Sequence, residues 1–446
     1  MSVNTGESAR TEAGASVAAE PRRGGIHRVM RGVLICLLPV LVALDVGAAT
    51  FPGGTTIPWH PVMVDLDVYR LAGHVLLAGG NFYSLPGALQ FLYPPFAALL
   101  AVPLAILPLA VVQLGWTVAG ALMIVAVLHR WGQTGWQLSL LSAAVVYAVL
   151  PVSQTLAFGQ LGILLVALVA LDLAPGPRVL GRRRLLPEGT LTGVAAALKL
   201  TPMIFVLYLL AVRRWRAALT ATISAGVCTI VAALVLPSAS LDFWGRLAHG
   251  DTGLGGSLIY YTNQSVYADF VRVFRLAPVG SALGLAACAV VVVLGVWAAA
   301  VWHRAGEVRF AVALCGVASL LASPVSWLHH FVWIVPLAFS LVELTQQRMM
   351  KSPMSGPASS TREASATGKP RPVLPNWLAV LGWLFVGWVI VSPYRRLPNG
   401  ADLELQWTAG QNLLAAMTAI LGTALLIAAI VVGRRIGLRS SGLRRS

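Results

Sequence analysis

Charge is what this sequence has least of. Asp, Glu, Lys and Arg make up 11% of its 446 residues, against about 25% in a soluble domain. A chain this poor in charge cannot cover a water-facing surface, which excludes a soluble globular protein. Acids are the scarcer half, 16 against 32 Lys and Arg, for a net charge of +16. That excess does not form a nucleic-acid-binding patch. It lies in short connections and tails: Arg22, Arg23, Arg28 and Arg31; Arg182 to Arg184; Arg213, Arg214 and Arg216; and Arg434 to Arg445. This is the positive-inside pattern of a membrane protein. Cysteine is almost missing. Cys36, Cys228, Cys288 and Cys315 fall inside apolar runs without a C-x-x-C pair, so they read as small core residues, not as a disulfide framework or metal site. There is no Gly-rich phosphate loop and no alternation of strand and helix patterns, which excludes a nucleotide site of the usual kind.

What the chain does have is apolar length. Hydrophobic residues make up 57% of it, in runs near the ~20 residues that cross a ~30 Å hydrocarbon core. The fold class expected is an all-α polytopic membrane protein. Candidate spans lie at about 33–50, 92–109, 111–128, 138–151, 155–173, 188–212, 217–236, 280–302, 310–322, 325–344, 376–392 and 409–433, which gives about twelve transmembrane helices. The first run has a basic flank but no small-residue cleavage site, and reads as a retained span. Residues 1–31 read as a disordered cytoplasmic N-terminus, 32–433 as the membrane domain, 346–375 as a flexible cytoplasmic loop and 434–446 as a basic cytoplasmic tail. One stretch resists simple topology. Arg182 and Arg214 both read as cytoplasmic, yet 188–212 has the length of a single span. Two half-helices folding back near Lys199-Leu200-Thr201-Pro202 resolve this, because Pro202 removes a backbone donor and such turns persist at membrane depth inside an enclosed cavity.

Two connections, 51–91 and 237–278, are long, aromatic and mixed in charge, and belong on the outer face. The first carries Asp65, Asp67 and Arg70 ahead of apolar residues at helical spacing, the pattern of an amphipathic helix at the interface. Acids at a helix start also serve capping and the dipole; the alternative role is a general base. Tyr93-Pro94-Pro95 opens a span, with Tyr at the interface and Pro in the first turn. Lys199, with about ten uncharged residues on either side, must reach water, an acid or an anion. Asn263-Gln264-Ser265 fits a glycosylation sequon, a short and common pattern. Ser323-Pro324 breaks the chain ahead of Ser326, Trp327, His329 and His330. Adjacent histidines cannot share one helix face, unlike H-x-x-x-H, so no metal site is expected; an imidazole contacting a phosphate is.

In order, "VDLDVYR" (64–70), "YPPFAALLAVPLAILP" (93–108), "FGQLGILL" (158–165), "GVAAALKLTP" (193–202) followed by "RRWRAA", "NQSV" (263–266) and "SPVSWLHHFVWIVP" (323–336) resemble glycosyltransferase family 87, of the GT-C class. The likeness runs over about 32–345 and is nearest to the actinobacterial α-1,2-mannosyltransferases, whose SP-x-SW-x-HH this chain matches. The related arabinofuranosyltransferases lack the double histidine. The resemblance implies an inverting transfer at the periplasmic face. The donor is polyprenyl-phosphate-mannose, a substrate and not a cofactor, and the acceptor is a glycolipid or lipoglycan mannoside. It implies Asp65 as the essential carboxylate. His329, His330, Lys199 and Tyr93 fall toward the donor phosphate and sugar, with Asp67, Arg70, Asn263, Gln264, Trp327 and Gln160 at the acceptor or in support. A secondary transporter is the rival reading, from the breaks at Pro202 and Pro324 and the intramembrane Lys199, but the halves show no clear repeat.

Overall fold

A computed structural model describes residues 23–87, 89–178, 184–250, 258–349 and 374–442. The expectations for residues 1–22, most of 346–375 and the last four residues lie outside the described residues. The described residues are mostly helical. In order come α1 (Arg23–Ala49), α2 (Val64–Leu77), α3 (Pro95–Ile106), α4 (Leu109–Arg130), α5 (Gly135–Ala148) and α6 (Leu150–Phe158). Next are α7 (Gly162–Leu173), α8 (Thr190–Leu198), α9 (Ile204–Ala211), α10 (Trp215–Val235), α11 (Pro237–Ala248) and α12 (Val266–Val273). The chain then runs through α13 (Pro278–Arg304), α14 (Val308–Leu321), α15 (Ile334–Met349), α16 (Asn376–Val391) and α17 (Ala409–Gly442). Pairing of extended backbone among the described residues is confined to isolated bridges, Thr55 with His60 and Asn263 with Trp327.

Among the described residues, seven helices are long and apolar enough to cross a bilayer, or eight if the pair α5 and α6 counts as one bent span. The expected count of about twelve is not confirmed by helix length and composition. The remaining apolar segments are shorter: α3, α7, α14, and α9 with the turn before it. Proline and glycine explain the shortfall. Pro151 sits in the first turn of α6, whose axis turns 76° from that of α5. The expected span 155–173 breaks at Gly159, which has φ +67°. At the centre of the bundle lies α14, buried on every side from Phe310 to Leu321, as a helix apolar all round must be.

The stretch 188–212 folds back on itself, as its charges require. Lys199 leaves α8 in an extended conformation (φ −153°, ψ 136°), and a 3-10 turn at Thr201–Met203 leads into α9. The Glu188 carboxylate before α8 pairs with Arg214 after α9. The two ends therefore meet at one basic rim, and the tip carrying Lys199 lies one half-helix away, about 13 Å for nine residues. The hairpin is seated on α10 through small residues: a Cβ at Gly193 would fall 2.3 Å from the Ala221 carbonyl oxygen.

Its base is held by Asp172, buried near the end of α7. The carboxylate accepts hydrogen bonds from the backbone N–H groups of Gly189 and Thr192, from the Thr192 hydroxyl and from Arg184. It thus caps a helix it does not belong to, satisfying donors that the first turn leaves open. Asp172→Ala would strand those buried N–H groups. An unfolding free energy lower by about 2–4 kcal/mol is expected, measurable by denaturation in detergent.

Candidate active site

The first long connection supplies an acid that caps nothing. Helix α2 begins after Met63, which adopts left-handed backbone (φ 47°), and no side chain caps it. Asp65 lies in its first turn. Its Oδ2 is buried without a hydrogen-bond partner, while the carboxylate as a whole stays 24% exposed. One oxygen is thus set inward and the group still opens to solvent, unlike a capping carboxylate. Burial raises the Asp65 carboxyl to about 7, and the Lys199 ammonium works against that rise.

Gly159 lets α2 approach. Its positive φ suits glycine, and a Cβ there would fall 2.5 Å from the Leu66 Cβ. Gly159→Ala would push Leu66, and Asp65 with it, away from the cleft. Misplacement on the scale of 1 Å can cost about a hundredfold in rate. Gly159→Ala is therefore expected to melt at a lower temperature than wild type and, per folded molecule, to turn over about a hundredfold more slowly.

The octet SPVSWLHH forms the facing wall. Asn263 fixes it: its Oδ1 accepts from the Ser326 N–H at 2.9 Å, and its Nδ2 donates to the Pro324 and Leu258 carbonyls. Gln264 donates to the Tyr261 carbonyl at 2.9 Å and accepts from the Thr418 hydroxyl at 2.6 Å. Both amides are buried and committed to this turn. Beneath them, Arg272 pairs with Asp269 and donates to the Asn263 carbonyl at 2.9 Å.

After the turn comes a 3-10 helix, Leu328–Trp333. Adjacent residues stand about 120° apart in such a turn, and both imidazoles still line the cleft, His329 beside Asp65 and His330 beside Lys199. Their rings meet edge to face, 4.7 Å apart. His329 Nε2 lies 3.9 Å from Asp65 Oδ2 and is itself buried without a hydrogen-bond partner. The His329 carbonyl accepts from the Thr155 hydroxyl. His330 Nε2 lies 3.0 Å from Lys199 Nζ. Contacts thus link Asp65, His329, His330 and Lys199 into one row.

Hydrogen-bond accounting gives that row a direction. The Trp327 N–H donates to His330 Nδ1 at 3.2 Å, so in the neutral ring the proton resides on Nε2. Gln160 is fixed by its Oε1, which accepts from the Leu161 N–H and from the Tyr69 hydroxyl. Its Nε2 donates to the Tyr93 hydroxyl at 2.9 Å and lies 3.3 Å from His330 Nε2. The Tyr93 and Tyr69 hydroxyls, 2.9 Å apart, close the ring of hydrogen bonds. Burial keeps both phenols protonated, raised above the usual range. Lys199 Nζ also stands over the Tyr93 ring, 5.5 Å from its centre. Three nitrogen donors, on Lys199, His330 and Gln160, therefore converge, and an anionic oxygen is the group that would satisfy all three. A cavity of about 20 Å³ opens beside Lys199 and His330, bounded by Val166, Phe205, Leu320 and Trp333.

The other expected residues fall outside this row. Asp67 is exposed at the rim; burial of part of its side chain raises its carboxyl and nearby Arg70 lowers it. Arg70 donates to the Leu104 and Leu107 carbonyls at 3.0 and 3.2 Å, pinning α2 to the end of α3. Trp327 lies edge-on to Tyr260, with ring centres 6.2 Å apart. Tyr69, Thr155 and Gly159 escaped the sequence reading. Tyr69 alone carried a signal, as the aromatic four residues after Asp65 on the same helix face. Among the described residues, no group of three or more His, Cys, Asp or Glu side chains could hold a metal ion.

Comparison with known proteins agrees with the early likeness. A family model described as glycosyltransferase family 87 matches residues 91–324. A protein of Mycobacterium tuberculosis is 32% identical over 344 residues, 69% of this chain and 76% of its own length. It is named polyprenol-phosphate-mannose-dependent alpha-(1-2)-phosphatidylinositol mannoside mannosyltransferase. A protein of Mycolicibacterium smegmatis, named for the same reaction on phosphatidylinositol pentamannoside, is 28% identical and covers 86% of this chain and 90% of its own length. Among solved structures, ArnT from Cupriavidus metallidurans bound to undecaprenyl phosphate matches with 15% identity and a TM-score of 0.36, over 93% of this chain and 78% of that one.

Proposed function

Since the chain belongs to glycosyltransferase family 87, we propose that its cleft moves mannose from polyprenyl-phosphate-mannose to the 2-hydroxyl of a mannoside on a cell-envelope glycolipid, such as a phosphatidylinositol mannoside or a lipoglycan. The protein is a multi-pass membrane glycosyltransferase. Asp65 takes the proton of the acceptor hydroxyl, and that oxygen attacks C1 of the β-mannosyl phosphate from the opposite face. The C1–O bond to phosphate breaks, its electron pair leaves with the polyprenyl phosphate, and inversion gives an α-1,2 linkage. Lys199, His330 and Gln160 meet the departing charge as fixed donors in an enclosed site. His329, against the carboxylate, positions the base. The donor brings its own leaving group, so the reaction calls for no nucleotide and no resident cofactor. Positive-inside logic puts the basic rim at Glu188, Arg214 and Arg304 in the cytoplasm and the hairpin tip toward the outer face.

The observation that supports this reading best is the meeting, in one cleft, of a carboxylate with an unpartnered oxygen and a cluster of nitrogen donors lacking a common acceptor. The test is transfer by membranes containing the protein, supplied with polyprenyl-phosphate-[¹⁴C]mannose and a phosphatidylinositol mannoside. The expected product is an alkali-stable glycolipid with a new 1,2-linked terminal mannose. Label entering only from a nucleotide sugar, or a linkage other than 1,2, would refute it.

A further inference from the structure

A second concave site lies at the basic end of the molecule, away from the cleft. Helices α13 and α17 run side by side there: the Trp302 indole N–H donates to the Ala429 carbonyl at 2.9 Å, and a Cβ at Gly433 would fall 2.4 Å from the Val301 side chain. Outside this close contact the helices leave a groove of about 410 Å³, within the ~300–1,000 Å³ of small-ligand sites. Its mouth holds Arg434 and Arg435; its walls are Trp297, Ile430, Ile427 and Leu294. The Arg434 guanidinium stands over the Trp297 ring, 5.7 Å from its centre. Among the described residues neither arginine forms an ion pair with an acid.

We propose that this groove binds one anionic glycerophospholipid of the leaflet at the basic end, with its phosphate on Arg434 and Arg435 and an acyl chain along Trp297, Ile430 and Ile427. The order of side chains along α17 argues for a lipid. Charge sits in the last turn of the span, and apolar side chains follow for seven residues inward, about 10 Å of helix. A free anion would use only the mouth, and a zwitterionic lipid would bring its own headgroup cation against the two guanidiniums. Stacking on the indole holds one guanidinium at headgroup depth, so the lipid meets an ordered cation. The sequence adds Arg439, Arg444 and Arg445 beyond the groove, and basic pockets between helices at a membrane's charged face suit anionic headgroups.

The full-length protein, delipidated in detergent, would be offered phosphatidylglycerol and phosphatidylcholine of identical chains and examined by native mass spectrometry. One phosphatidylglycerol should be retained in preference. Arg434→Gln with Arg435→Gln should lower that preference about tenfold or more while leaving mannosyl transfer intact. Trp297→Leu should weaken retention of the same lipid. In wild type, a photoactivatable phosphatidylglycerol should crosslink to peptides spanning 427–435 or 294–297, a readout independent of whether the variants fold. Equal retention of the two lipids, an unchanged preference in the double variant, or crosslinks confined to other helices would each overturn the proposal.

Discussion

Asp65→Asn is expected to lose about 10²- to 10⁴-fold in kcat, the usual worth of a positioned general base, while the protein still inserts and binds its lipid donor. Asparagine keeps the size and one acceptor oxygen but cannot take a proton. The result separates a base from a merely polar contact, whose loss would raise KM and spare kcat. The pH dependence carries a second signature. The carboxyl is raised to about 7 by burial, and only its ionised form accepts a proton. kcat/KM should therefore fall tenfold per unit as pH drops below about 7, and this limb should vanish in Asp65→Asn. Stability runs the other way. An acid whose folded value lies above its unfolded 3.8 holds its proton more tightly in the native state. Its contribution is full below about pH 4 and is lost as pH rises through about 7. Above pH 7 Asp65→Asn should thus melt at a higher temperature than wild type, the exchange of stability for activity expected where a charge is buried for chemistry. A variant equally active, or unchanged in its acid limb, would remove Asp65 from the reaction.

The same residue shows how far a sequence carries. Asp65 stands out in the chain because carboxylates are rare there and because α2 has the spacing of an interfacial helix. Lys199 stands out because an ammonium amid apolar residues needs an explanation. The fold-back around Lys199 follows from bookkeeping alone: two basic connections cannot share a side of the membrane if one full crossing separates them, and the Glu188–Arg214 pair closes that argument. The count of about twelve spans is left unconfirmed for the same kind of reason. Hydropathy sees the apolar content of 92–109 and 155–173 but not where a helix ends within them, which Pro103, Pro151 and Gly159 influence through local backbone geometry. Periodicity also cannot report that the two histidine rings meet edge to face, because that contact depends on local backbone and rotamers and not on a shared helix face. Gln160 was legible only by resemblance, for its role depends on Tyr69 and Tyr93, which come from 91 and 67 residues away.

Lys199→Met should cost about 10²- to 10³-fold in kcat, the range for removing one donor to a developing anion, and its effect should reach beyond that donor. Lys199 holds down the carboxyl of Asp65. With the ammonium gone, the acid limb of kcat/KM should move to higher pH, a shift that a purely structural lysine would not produce. Lys199→Arg keeps the charge and should restore the limb toward its wild-type position. It should recover only part of kcat, because a planar fork cannot reproduce a point donor set 3.0 Å from His330 Nε2. His330→Phe should also lower kcat, since it deletes the Nε2–H donor and leaves the Trp327 N–H without its acceptor. Lys199 and His330 lie 3.0 Å apart, and if both address the one oxygen proposed above, their losses should fall short of adding in the double variant. Full additivity would mean that the two act on separate groups, and an acid limb unmoved by Lys199→Met would break the link between the leaving phosphate's cation and the base.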